Sequence, residues 1–161
     1  FFAAFVSNRN LKISAQMLLD NQLKHYEAAL QTDVHENKKV CELIKNIAPD
    51  YKLGVCSGST SNQINFILKK LELSNLFNCT VSCDDVIKGK PDPEGYQKAL
   101  SQLEVNTDEA IIIEDSPVGV KAGMAAGIEV IKYINGPAGI STDATYTANS
   151  AAEILQLLTN I

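Results

Sequence analysis

Positive charge is in short supply in this 161-residue sequence: 14 Lys and Arg stand against 19 Asp and Glu, a net charge of -5. With no basic stripe to neutralise phosphates, the composition argues against nucleic-acid binding. No apolar run is long enough to cross a bilayer, which argues against a membrane-spanning helix. The four cysteines, Cys41, Cys56, Cys79 and Cys83, show no CxxC spacing and fall mostly within apolar runs, where Cys packs as a small hydrophobe. A reduced, cytoplasmic setting is therefore expected rather than a disulfide framework. Neither GxGxxG after a strand nor a Walker lysine motif occurs, which disfavours dinucleotide binding and P-loop chemistry. Internal repeats and low-complexity tracts are also lacking. The opening FFAAFV has no basic region before it and no small-residue cleavage site after a full hydrophobic segment, so it reads poorly as a signal peptide. The first residue is Phe1 rather than Met, and a fragment or processed product is the expectation.

What is present is ordinary for a globular protein: 45% hydrophobic and 20% charged residues, in a chain of one-domain size with room for a real core. Ser14 is placed to cap a helix whose Leu19, Leu23, Tyr26 and Leu30 follow helical spacing. Asp33 with Glu36 predicts a second helix start, with Val40, Ile44 and Ile47 on one face and Pro49 as its end. From there strands alternate with helices. Tyr51 to Cys56 reads as a strand, Thr60 with Gln63 as a capping box, and Ile64, Ile67, Leu68 and Leu71 as a helix face. Cys79 to Ser82 is a short strand, and Asp92 and Pro93 start a helix carrying Tyr96, Ala99, Leu100 and Leu103 inward. Ile111 to Ile113 forms a β-branched run suited to a strand buried on both faces, followed by a helix with Ser116 as cap, Pro117 in its first turn and Gly127 as its stop. Ile128 to Ile134 is a further strand. After a loop with Gly136, Pro137 and Gly139, a last helix runs from about Ser150 to Leu158. This alternation predicts an α/β fold, a parallel sheet flanked by helices.

Polar residues gather at the predicted strand ends. Ser57, Gly58 and Ser59 follow one strand and precede a helix, where hydroxyls, backbone N–H groups and a helix N-terminus can form an anion site; the plainer alternative is that the serines only satisfy the helix start. Lys90 stands between Gly89 and Pro91, and the proline restricts its backbone. A fixed ammonium there can neutralise a phosphoryl oxygen or a nucleophilic carboxylate, although for a loop lysine taken alone a solvated surface charge is the commoner reading. Lys88 lacks that restraint and reads as solvated. Glu114 and Asp115 sit where a strand hands over to a helix, the edge at which open α/β sheets bind ligands. Adjacent carboxylates repel, and a hard cation such as Mg²⁺ is their natural partner. A capping Asp beside a solvated Glu accounts equally well for that stretch alone. Taken together, a hydroxyl, an ammonium and an acid pair at one rim are the equipment for phosphoryl transfer.

The runs VCSGS, VSCDDVIKGKPDPEGY and IIIEDSPVGVKAGMAAG resemble the haloacid dehalogenase superfamily of phosphatases, and most of all its β-phosphoglucomutase-like branch. The resemblance covers about Asp33 to the C-terminus. It implies a Rossmann-like core over 33–161, with residues 1–32 as the remnant of a helical cap. It also implies that Ser57 and the backbone of Gly58, beside Ser59, hold the phosphoryl group and that Lys90 screens nucleophile and phosphate. Asp115, with Glu114 directly or through water, would hold Mg²⁺. One departure stands out: the family's DxDx[TV] motif, which supplies the nucleophilic Asp and the acid–base Asp, is missing. Neither Asp20 nor Asp33 has a strand before it or an acid two residues on. The family places the strand that carries this motif between the strand ending at Ser57 and the one ending at Glu114.

The function expected is a Mg²⁺-dependent phosphatase or phosphomutase of a small phosphorylated metabolite, with sugar phosphates as the candidate class. It would work through an aspartyl-phosphate in a full-length parent, the fragment itself being inactive. The alternative is a non-catalytic domain of the same fold that binds phosphate or a partner. A receiver-type signalling domain ranks below both, because its acids precede its Lys-Pro and here Lys90-Pro91 comes first.

Overall fold

A computed structural model describes residues 14, 17, 21, 24–25, 28–29, 32, 35–134 and 143–160, and the chain divides into two compact units, Phe1–Glu36 and Asn37–Ile161. In the first unit, Met17, Asn21, Lys24, His25, Ala28, Ala29 and Thr32 are helical. Ser14 Oγ accepts the Met17 N–H at 3.0 Å, as its sequence position predicts. Leu19, Leu23, Tyr26, Leu30, Asp20, Asp33, Gly136, Pro137 and Gly139 lie outside the described residues.

The second unit begins with α1, Lys38–Ile47. Its start differs from the Asp33 expectation: Asn37 is the cap, its side chain accepting the Val40 N–H, because a short amide in extended backbone reaches the free donors of the first turn. Next comes β1, Gly54–Cys56, later and shorter than the Tyr51 start predicted. The Thr60–Gln63 capping box forms as expected and opens α2, Ser61–Lys70. After β2, Cys79–Val81, the chain makes a 3-10 turn at Cys83–Asp85 and enters α3, Glu94–Leu103. Then follow β3, Ile111–Glu114, and α4, Pro117–Ala125, capped by the Ser116 side chain. Gly127, at φ 76°, occupies the left-handed conformation that ends the α4 turn. The unit closes with β4, Glu129–Tyr133, β5, Tyr146–Ala148, and α5, Ala151–Asn160. The sequence reading did not include β5, whose three residues form too short a run to stand out from the loop before it.

Among the described residues all pairings are parallel, but they form two sheets rather than one: β1 with β2, and β3-β4-β5 in that order. Their registers include Cys56 opposite Val81, Glu114 opposite Lys132 and Ile131 opposite Tyr146. Helices cover both faces. Leu43 and Ile47 of α1 pack with Ile131, Ala148, Ile154 and Leu158 on one side. On the other, Tyr96 of α3 packs with Ile112, Val120 and Val130. Neighbours in a strand thus serve opposite layers, as the two-residue period requires. α3 also covers the β1-β2 sheet, through Ala99 beside Cys79 and Val81, and on its other face Val55 packs against a cluster in which Cys41 of α1 joins Ile64 and Leu68 of α2. Ile113 is 40% exposed, against the expectation of a strand buried on both faces, and it lies in a strand with a partner on one edge only among the described residues.

Ile131 is fully buried between α1, α5 and the sheet. Ile131→Ala is expected to cost about 2–5 kcal/mol, and Leu155→Ala on the outer side of α5 no more than about 1 kcal/mol. Urea denaturation of the two variants measures both.

Candidate active site

The carboxyl ends of β1 and β3 and the loop before α3 converge on Lys90. Its ammonium donates to Cys56 O, the end of β1, at 3.0 Å, and to Glu114 Oε1, the end of β3. It also stands 4.8 Å from the centre of the Tyr96 ring, close enough for a cation–π contribution. A single side chain therefore ties the two sheets together. The loop delivering it is held in turn by Glu94, whose carboxylate accepts the Ile87 and Lys88 N–H groups at 2.8 Å each. These backbone bonds are the main cause of a Glu94 pKa below the ordinary value. Lys88, as the sequence suggested, is solvated, 72% exposed and 3.9 Å from Asp92.

Glu114 is the most heavily bonded acid of the site. Besides Lys90, its Oε1 accepts the Tyr96 hydroxyl at 2.8 Å, and its Oε2 accepts both the N–H and the hydroxyl of Ser116 at 3.0 Å. Burial would raise its pKa, but Lys90, the Ser116 N–H and the Tyr96 hydroxyl outweigh that and hold it below the ordinary glutamate value. Tyr96 moves the other way: burial first, then the Glu114 charge it donates to, push its phenol far up and keep it a donor. The carboxylate lies against Gly119 in the first turn of α4, where an added Cβ would fall directly on it.

Ser57, Gly58 and Lys90 line one small cavity, of about 30 Å³, together with Tyr96 and Gly95. The Ser57 N–H bonds Val81 O at 2.9 Å, extending the β1–β2 ladder by one residue. Its hydroxyl accepts the Ser59 N–H at 3.1 Å, which leaves its own proton free to donate. Ser59 and Asp115 do not line the cavity; Ser59 lends its carbonyl to the Cys83 N–H, and Asp115 is exposed just beyond β3. The helix N-terminus behind the loop is less open than the sequence suggested. Asp84 Oδ2 already takes the Ser61 N–H at 2.8 Å, a carboxylate drawn to the positive end of α2. A larger open groove, about 520 Å³ along α2 and β2, lies apart and is lined by neutral residues such as Asn65, Phe77 and Gln102. Among the described residues no group of three or more His, Cys, Asp or Glu could together hold a metal.

Tyr96 and Gly119 are site residues that sequence reasoning missed. Tyr96 was visible only as an inward position of an amphipathic helix, and Gly119 as one of several glycines near a helix start. Neither motif spacing nor periodicity distinguishes a core tyrosine from one that bonds an acid.

Residues 4–133 match the haloacid dehalogenase-like hydrolase family. The chain belongs to that family. Among curated proteins it is 36% identical over 109 residues to the validoxylamine A 7'-phosphate phosphatase of Streptomyces hygroscopicus subsp. limoneus, covering 68% of this chain and 47% of that protein. It is 35% identical over 97 residues to the phosphorylated carbohydrates phosphatase of Thermotoga maritima, covering 60% and 45%. The chain thus spans about half the length of the curated relatives it matches, or less. A crystal structure of a candidate β-phosphoglucomutase from Thermotoga maritima superposes with a TM-score of 0.80 at 25% identity, over 97% of this chain and 74% of that one.

In this haloacid dehalogenase-like chain, Gly119 and Glu94 are the structural supports most open to test. Gly119→Ala is expected to destabilise by about 1–3 kcal/mol by urea denaturation, although alanine would by itself favour the helix by about 1 kcal/mol. In Glu94→Ala, the Ile87 and Lys88 amides lose their acceptor, and their hydrogen exchange is expected to quicken roughly tenfold while core amides keep their rates.

Proposed function

We propose that the chain is part of a Mg²⁺-dependent phosphatase or phosphomutase acting on small phosphorylated metabolites, with sugar phosphates as the leading class. The observation that carries this reading is the convergence of Ser57, Gly58 and Lys90 on one cavity. The relatives' names, which specify phosphate esters of carbohydrate-like compounds, support the substrate class. On this reading residues 1–32 belong to a helical cap and 33–161 to the catalytic core. Four free cysteines support a cytoplasmic setting, and no helix among the described residues is long and apolar enough to cross a membrane.

Ser57 and Gly58 would donate to the phosphoryl oxygens, and Lys90, fixed at the junction of β1 and β3, would neutralise charge on the phosphate and on the attacking carboxylate. The nucleophile would be the aspartate of the DxDx[TV] motif that the resemblance implies and that these 161 residues lack. Its oxygen bonds phosphorus as the ester oxygen leaves, and water or a second hydroxyl then resolves the aspartyl-phosphate. Asp115, an exposed hard oxygen donor, suits Mg²⁺, which when bound would neutralise phosphoryl-oxygen charge.

The test assays the 161-residue chain beside an N-terminally extended chain carrying the aspartate motif, using an aryl phosphate with Mg²⁺. The extended chain is expected to turn over and the shorter one not to, and Lys90→Ala in the extended chain should lower kcat about 10²–10³-fold. Equal turnover by the shorter chain would defeat the proposal, and phosphate-mimic binding without turnover in the extended chain would favour a non-catalytic binding domain.

A further inference from the structure

We infer that Ser82 and Asp85 are positioning residues: together they hold the turn after β2 as a clamp that fixes the 57–61 loop and sets which of its donors a ligand meets. The ligand half deepens the phosphatase reading above and rests on it, whereas the clamp stands on geometry alone.

The clamp begins at a buried hydroxyl. Ser82, the residue after β2, is 2% exposed, and its Oγ donates to Asp85 Oδ2 at 2.6 Å. The same carboxylate oxygen accepts the Ser82 N–H at 2.9 Å. These two bonds hold the Asp85 carboxyl below its ordinary pKa and keep it ionised, an acceptor only. A serine hydroxyl has a single proton. With that proton committed to Asp85, the 2.8 Å contact between the Ser61 and Ser82 hydroxyls must run from Ser61 to Ser82. Ser82 Oγ also accepts the Asp84 N–H at 3.2 Å, so its one donor and both acceptor positions are filled. Although Ser82 lines the cavity, it has no proton to offer there.

Three bonds cross from the turn to the loop. Besides the Ser61 hydroxyl on Ser82, the Cys83 N–H donates to Ser59 O at 3.0 Å, and Asp84 Oδ2 takes the Ser61 N–H at 2.8 Å. Lys98 of α3 fastens the turn from behind, its ammonium donating to Asp85 O at 2.8 Å. Within the loop, the Ser57 N–H is held by Val81 O, the Ser59 N–H by Ser57 Oγ and the Thr60 N–H by Gln63 Oε1. Of the loop residues only Ser57 and Gly58 reach the cavity, and among the described residues nothing accepts the Ser57 hydroxyl proton or the Gly58 N–H. The turn thus removes the Ser61 donors from play and holds the remaining two in one place, where an anion entering the cavity meets both.

The test uses the isotopically labelled 161-residue chain with inorganic phosphate as the probe. The Ser57, Gly58 and Ser59 amide signals follow binding, and hydrogen exchange of the Ser61 and Cys83 amides follows the clamp. In Asp85→Asn both of the latter are expected to exchange about tenfold faster while core amides keep their rates, and phosphate affinity is expected to fall about threefold to tenfold. Loss of a negative charge would by itself favour an anion, so a fall reports lost position rather than altered charge. Ser61→Ala removes one crossing bond at a half-buried residue and decides the matter should Asp85→Asn not fold. It is expected to quicken Cys83 exchange and to weaken phosphate about threefold. Ile131→Val, which loosens the core elsewhere, should leave phosphate affinity unchanged. Affinity that holds or rises in either loop or turn variant would overturn the ligand half while the phosphate reading stands. An equal fall in Ile131→Val would also overturn it, by making the effect one of general stability. If the unmodified chain binds no phosphate, the ligand half fails together with the site assigned to Ser57 and Gly58. Unchanged Cys83 exchange in Asp85→Asn or Ser61→Ala would overturn the clamp, with or without phosphate.

Discussion

The ion pair between Lys90 and Glu114 is the constraint on which the site depends, because it joins two sheets that share no strand ladder among the described residues. A buried pair of this kind is a poor source of net stability, since desolvating both charges offsets most of their attraction. Removing one partner is another matter, costing about 3–5 kcal/mol because the survivor is left buried and uncompensated. What the pair supplies is position. It holds one cation where the ends of β1 and β3 meet, and hydrogen bonds from Tyr96 and Ser116 restrain the acid that holds it.

Packing makes that position dependable. α3 contacts both sheets, through Tyr96 and Ala99, and α1 joins the clusters on the opposite faces of both, so a shift of one sheet against the other would have to disturb apolar packing in both layers. The helix that contributes Ala99 to the β1-β2 layer also contributes Tyr96 to the site. Core and chemistry thus share a rigid element, and the loop before it is fastened at Ile87 and Lys88 by the same helix through Glu94.

Much of this was legible in the sequence, for identifiable reasons. Apolar periodicity marked four of the five strands and every helix of the second unit, because each element must bury one face. Capping chemistry located the starts at Thr60 and Ser116. It misplaced the start of α1, where Asn37 rather than Asp33 serves, since several polar residues in a row can each act as a cap. The division into two sheets was not read from the sequence, which predicted one parallel sheet; the resemblance supplied only the place of a missing strand, as pairing between distant segments leaves no local trace. Ser57, Gly58, Ser59, Lys90, Glu114 and Asp115 stood out in the sequence by their places at strand ends; the structure gathers Ser57, Gly58 and Lys90 around one cavity, with Glu114 bonded to Lys90, and leaves Ser59 and Asp115 off its lining. Their bonding was not legible, because whether an acid faces a lysine or solvent depends on which side chains the fold brings across from other segments. Tyr96 is the clearest case, eighteen residues from the carboxylate it serves.

The glycine at 119 has a consequence for how such a chain can vary. The space in the first turn of α4 holds either the end of a glutamate at 114 or a methyl group at 119, not both. A shorter acid at 114 would withdraw from that turn and make room for alanine, but it would also retreat from Lys90 and Tyr96. The two positions are thus joined by volume, so that a change at one becomes tolerable only with a compensating change at the other.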